Sequence, residues 1–186
     1  MRIKWFSLIR ITGLICVLLY HFFQMRYTGG FIGVDIFFTF SGYLITALAL
    51  DEFSRSNKFA LRDFYYRRVM RILPPLILMI CLVLPFTLLV GKDYITDLFH
   101  QITAALGFVT NLFEINTGGT YESRFIPHLF VHTWSLAIEV QFYLIWGFVL
   151  YLLTKVTATV KQFRKRVFLS STALAIGSAL VMYLRA

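Results

Sequence analysis

Long apolar runs alternate along this chain with short clusters of Lys and Arg. A helix rises 1.5 Å per residue, so about 20 residues cross the hydrocarbon of a bilayer. Five runs reach about that length, at residues 7–24, 30–50, 73–91, 133–153 and 167–184. A sixth, 98–113, is shorter and carries Gln101, Asn111 and several small residues. The pattern predicts an all-α polytopic membrane protein with about five transmembrane helices. It forms one membrane domain, with no soluble domain, internal repeat or low-complexity linker.

Orientation follows from the basic loops. Arg2 and Lys4 precede the first run; Arg55, Lys58, Arg62, Arg67, Arg68 and Arg71 separate the second from the third; Lys155, Lys161, Arg164, Lys165 and Arg166 precede the last. All three clusters are expected in the cytoplasm, the N-terminus included, so the protein is expected in the cell membrane. The stretch between Lys92 and Thr133 must then cross zero or two times, and the weak sixth run is expected to be re-entrant or interfacial on the outer side. Residues 58–71 interleave Phe59, Leu61, Phe64 and Tyr65 with basic groups, and Asp63 and Arg67 are spaced as an i,i+4 pair. This segment predicts an amphipathic helix on the cytoplasmic surface, with Pro74 and Pro75 opening the third span.

Composition narrows the class further. Hydrophobic residues make up 59% of the 186, more than a soluble domain of this size can hide. The net charge of +9 would suggest nucleic acid in a soluble protein. Here the basic groups flank spans and no RNA- or groove-reading motif is present, so the expected partners are an anionic leaflet or a phosphate-bearing substrate, and not nucleic acid. Cys16 and Cys81 lie inside apolar runs and are expected to pack as small hydrophobes. No small-x-small cleavage site follows the first run, where Met25-Arg26-Tyr27 stands, so that run is expected to be a retained anchor. His and Cys spacing predicts no metal site.

Ionisable groups inside spans are costly, which makes each a functional candidate. Arg10 and His21 share one face of the first span, about 16 Å apart along the axis; a snorkelling Arg and an interfacial His are the plainer reading. Asp35, Thr39, Gly42 and Thr46 form a stripe on the second span, where the small residues suit helix packing but a carboxylate is not needed for it. His132, Ser135, Glu139 and Tyr143 share a face of the fourth. His21, Asp35, His132 and Glu139 are expected at similar depth, and one shared polar cavity is cheaper than four lipid-exposed groups.

Three segments are similar to motifs of the membrane-bound acyltransferase-3 family. They are Gly-Val-Asp-Ile-Phe-Phe-Thr-Phe-Ser-Gly-Tyr-Leu-Ile-Thr from Gly33, Phe-Tyr-Tyr-Arg-Arg-Val-Met-Arg-Ile-Leu-Pro-Pro from Phe64, and His-Thr-Trp-Ser-Leu-Ala-Ile-Glu-Val-Gln-Phe-Tyr-Leu-Ile-Trp from His132. The Arg10 to His21 spacing matches as well, and the wording is most like Gram-positive, streptococcal-type peptidoglycan O-acetyltransferases. Val140 and Gly147 depart from the family pattern, which often has Glu and Pro there.

The resemblance implies an O-acyltransferase that moves an acyl group, with a bias to acetyl, from cytoplasmic acyl-CoA to a cell-surface polysaccharide. Acetyl-CoA is then a donor substrate, and no cofactor is expected. His21 would be the base or acyl carrier, Glu139 or Asp35 its carboxylate partner, and Arg10 a charge stabiliser. Arg68 and Arg71 would hold CoA phosphates through bidentate guanidinium contacts. Ser41, Tyr43, His132, Trp134 and Ser135 would line the site. Members have about ten spans and often an extracellular esterase-like transferase domain. The chain is therefore expected to be the N-terminal part of such a domain, a fragment or truncated product without turnover of its own. The alternatives are an inactive membrane fragment or half of a transporter, and acetyl-CoA binding separates them from the enzyme.

Overall fold

The computed structural model describes residues 4–23, 26–90, 97–117 and 128–185. Its helices are α1 (Lys4–Phe22), α2 (Ile32–Ser56), α3 (Leu61–Val90), α4 (Leu98–Leu106), α5 (Thr110–Thr117), α6 (Thr133–Lys155) and α7 (Val160–Arg185), with a 3-10 turn at Thr28–Phe31 before α2. Among the described residues four apolar helices are long enough to cross a membrane, and Phe6–Phe22 is a shorter fifth, about 25 Å long. All five expected spans are therefore helical. The expected ends at Gln24 and Gly91, and Pro127, lie outside the described residues. Apolar side chains remain exposed along α7, including Leu174, Val181 and Leu184, as lipid-facing positions do.

The chain falls into two compact units, Met1–Ala47 and Leu48–Ala186. In the first, α1 meets the start of α2 through glycines. A Cβ on Gly33 would stand 2.5 Å from the Gly13 carbonyl oxygen, and one on Gly30 would stand 2.5 Å from that of Cys16. Only residues without a Cβ allow so close an approach of two backbones. The packing surface is thus Gly13, Gly30 and Gly33, while Asp35 and Thr39 of the expected small-residue stripe are exposed.

In the second unit α3 and α6 run antiparallel. The Tyr65 hydroxyl donates to the Leu144 carbonyl at 2.8 Å, and the bare backbone of Gly147 accommodates the Phe64 ring, which would lie 2.7 Å from an added Cβ. Farther along, Leu76 and Ile80 of α3 pack with Ala105 of α4 and with Phe130.

The expected separate amphipathic helix is absent: residues 61–71 are the first three turns of a continuous 30-residue helix. Pro74 and Pro75 lie inside it and do not open it. They deprive only the Met70 and Arg71 carbonyls of their i+4 donors, a local loss that a long packed helix absorbs. The expected Asp63–Arg67 pair is also replaced. Arg67 bonds Glu52 at 3.2 Å, and the same carboxylate accepts from the Ala60 backbone N–H at 2.8 Å. Glu52 thereby ties the end of α2 to the start of α3 around Asn57, whose left-handed φ of 52° closes α2 with an N–H bond to the Phe53 carbonyl.

The weak sixth run is not a span but a helical hairpin, nine and eight residues long. α4 ends in a Schellman motif, with the Val109 N–H on the Ala104 carbonyl and Phe108 at φ 53°. The hairpin tip rests on Gln141, two turns into α6. The Gln141 amide donates to the Phe108 carbonyl at 2.9 Å and exchanges bonds with Asn111 at 3.0 and 3.1 Å. A re-entrant segment needs such cover, since irregular backbone at membrane depth cannot be left to lipid.

Candidate functional site

The α3–α6 register brings together two residues that the sequence places at opposite faces of the membrane. Arg68 lies with its guanidinium carbon 5.3 Å from the centroid of the Tyr143 ring and 5.4 Å from that of Phe64. The Tyr143 hydroxyl, buried, donates to the Glu139 carboxylate one turn away. Tyr143 is twelve residues before Lys155 and ten after Thr133, so Arg68 sits about 18 Å from one end of α6 and about 15 Å from the other. Arg68 is therefore level with the middle of α6. Arg71, one turn on, is exposed.

The remaining α6 candidates cluster at its start. His132 is the N-cap residue and exposed, and Ser135 donates to its carbonyl at 3.3 Å. Trp134 is half-buried. Thr133 is buried and shares a 2.8 Å hydroxyl contact with Thr110 of α5.

In the first unit, Arg10 stacks on Phe40 at 4.8 Å. Asp35 lines an open groove of about 490 Å³ with Phe6, Ile9, Thr39, Phe40 and Tyr43. Ser41 is half-buried on the same helix. His21 stands in the last turn of α1, its ring 6.3 Å from that of Tyr20. The glycine contacts pair residue 13 with 33 to 37 and residues 16 to 20 with 30. By that register Asp35 is level with Gly13, about 12 Å along the axis from His21. The expected common depth of these two groups does not hold. Its cause is the antiparallel crossing: counting into both helices from the connection between them, His21 is at the very end of α1 while Asp35 is already a turn down α2.

Sequence reading missed a buried pair: Glu114 of α5 contacts the His128 Nδ1 at 2.8 Å, each side chain only 9% exposed. It also missed Gln141. Both are polar residues beside or within apolar runs, which is the signal that could have found them.

Span-length helices enclosing an Arg, a Tyr and a Glu halfway along one of them define a multi-pass membrane protein with a polar site inside its helical packing. The chain belongs to the acyltransferase domain family, acyltransferase-3, whose pattern it matches over residues 3–185. It is 39% identical over 142 residues to the O-acetyltransferase OatA of Staphylococcus aureus strain NCTC 8325 / PS 47. The same figures hold for the Putative O-acetyltransferase SACOL0978 of S. aureus strain COL. Each alignment covers 76% of this chain and 24% of the relative, so the chain spans about a quarter of the length of those proteins. No solved structure matches it.

Proposed function

We propose that this chain provides part of the membrane site of an O-acyltransferase that moves acetyl groups from cytoplasmic acetyl-CoA to hydroxyls of a cell-surface glycan such as peptidoglycan. The observation that carries the reading is the meeting of Arg68 and Glu139 on Tyr143, halfway along α6. A fixed cation and a fixed carboxylate among apolar helices are costly, and groups of that kind usually mark a functional site. Family membership supports acyl transfer as that reaction.

In this reading the N-terminus and the basic loops face the cytoplasm. Arg68, with Arg71, binds the donor. His21 is the base or acyl carrier. As base it takes the proton of the acceptor hydroxyl while that oxygen attacks the thioester carbonyl; the C–S bond breaks, and CoA leaves as a thiolate that is then protonated. As carrier, its imidazole nitrogen displaces CoA first and hands the acetyl group on. Glu139 is the catalytic carboxylate. Asp35, about two turns from His21, is assigned instead to the groove beside Arg10, which stabilises developing negative charge. Ser41 and Tyr43 in the first unit, and His132, Trp134 and Ser135 in the second, are assigned substrate-lining roles. An extracellular esterase-like transferase domain is the expected downstream partner for the acetyl group.

The test is binding of labelled acetyl-CoA to the chain in lipid nanodiscs. Wild type should bind, and Arg68→Ala should lose most of that affinity. Equal binding by Arg68→Ala would remove Arg68 from the donor site.

A further inference from the structure

The depth of Arg68 leaves open where the nucleotide end of the donor is held. The packing of the second unit answers it. Phe53 at the end of α2 and Phe163 at the start of α7, both fully buried, stack with centroids 4.5 Å apart. This contact draws two basic segments, about a hundred residues apart in sequence, to one end of the unit: the α2–α3 junction and the start of α7. Several of their cations are already engaged: Arg55 with Asp51 at 3.0 Å, Arg67 with Glu52, and Arg166 with the Val156 carbonyl at 2.7 Å. Lys58, Arg62, Lys161, Arg164 and Lys165 are exposed and make no ion pair among the described residues. Five unpaired like charges gathered by a buried aromatic contact repel one another, and a polyanion relieves that repulsion.

We propose that this end of the unit is the subsite for the phosphates of the acyl-CoA nucleotide, and that Arg68 meets the acyl end of the same molecule. The proposal rests on the acyltransferase reading and adds a ruler to it. From the pyrophosphate to the thioester sulfur the pantetheine arm is about thirteen bonds, or ~16 Å when extended at ~1.2 Å per bond. Arg62 lies six residues before Arg68 on α3, about 9 Å away along the axis, and the Lys155 end of α6 is about 18 Å from Tyr143. The cations bracket the reach of the arm. A phosphate at Arg68 itself would instead push the thioester past Glu139 toward the opposite end of α6. The exposed side chains of Lys58 and of the first turns of α3 and α7 can close on phosphate oxygens without rearranging the helices that carry them.

The experiment uses the whole 186-residue chain in nanodiscs, once in phosphatidylcholine alone and once with phosphatidylglycerol added. The probes are labelled acetyl-CoA and S-acetylpantetheine, which has the arm and the thioester but no phosphate. Replacing Lys58, Arg62, Lys161, Arg164 and Lys165 by Gln together should weaken acetyl-CoA binding roughly tenfold or more in both lipids. It should leave S-acetylpantetheine binding unchanged, and high salt should shrink the difference. Arg68→Ala should weaken both probes. Unchanged acetyl-CoA affinity in the five-site variant would overturn the subsite. So would an effect confined to phosphatidylglycerol discs, since the cations would then belong to lipid headgroups. Wild-type protein that bound neither probe would instead overturn the acyltransferase reading beneath it.

Discussion

The Tyr143 hydroxyl donates to the Glu139 carboxylate, and the face of the same ring carries the Arg68 guanidinium at 5.3 Å. One side chain thus supports a cation through its π-face and an anion through its O–H. The two supports are separable. Tyr143→Phe keeps the ring under Arg68 but removes the donor to Glu139, which should cost about 1.5–3 kcal/mol, the range for bonds to charged groups. Tyr143→Ala should cost more, because the buried ring is lost too. Thermal unfolding in detergent gives the order: wild type most stable, then Phe, then Ala. Equal stability of Phe and wild type would show that the hydroxyl contributes nothing.

Two glycines mark places where helices touch through backbone. At Gly33 an added Cβ would meet the Gly13 carbonyl oxygen, part of a rigid helix that cannot yield. At Gly147 it would meet the Phe64 ring, also buried. Gly33→Ala and Gly147→Ala should each destabilise by about 1–3 kcal/mol. Gly29 and Gly177 have open space around the same position, so Gly177→Ala is the control and should be neutral or slightly stabilising. Melting temperatures of the three variants test the contrast.

Gln141 closes the tip of the α4–α5 hairpin. Gln141→Leu keeps much of the volume but leaves the Phe108 carbonyl and the Asn111 amide without this partner. The expected loss is about 2–4 kcal/mol, from two groups left unsatisfied. Hydrogen exchange should quicken first in residues 104–111. If exchange there matches wild type, the hairpin is held by its apolar contacts to Leu76 and Ile80 alone.

What the sequence reveals about this molecule depends on the kind of signal. Span existence is carried by composition over some twenty residues, so all five runs appear as helices despite shifted ends. Counting Lys and Arg in the loops predicts that 98–113 does not cross as a single span, and its helix breaks at Gly107-Phe108. Relative register between helices has no comparable signal. It is fixed by a few contacts, Tyr65 to Leu144 and Gly33 to Gly13, that no periodicity announces. For that reason the sequence does not show that Arg68 is level with the middle of α6, and Asp35, expected at the depth of His21, lies two turns away. Pro74 and Pro75 misled for a related reason: propensity marks helix starts, but packing along α3 overrides it.

The same packing makes a prediction about sidedness. The Phe53–Phe163 stack holds both basic loops at one end of the second unit, and the α4–α5 hairpin folds back from the other end of α3 and α6. Single cysteines at Arg62 and Lys161 should therefore share one accessibility, and a cysteine at exposed Ile115 should show the opposite one. With an impermeant thiol reagent on intact cells, only the Ile115 position should label. Labelling of Lys161 and not Arg62 would separate the two loops and refute the arrangement of α6 and α7.

Acyl transfer through His21 is measured directly as base-labile acetate on the cell surface. Cells expressing the full acyltransferase to whose membrane site this chain contributes should carry more of it than cells lacking that enzyme. His21→Gln, which keeps a polar side chain at the end of α1 but cannot act as a base near neutral pH, should reduce it to the level of the null strain. A loss of 10²- to 10⁴-fold is typical when a general base is removed. Membrane levels of the variant, checked by immunoblot, should equal wild type. Wild-type acetate release from cells carrying only His21→Gln would contradict the account at its core.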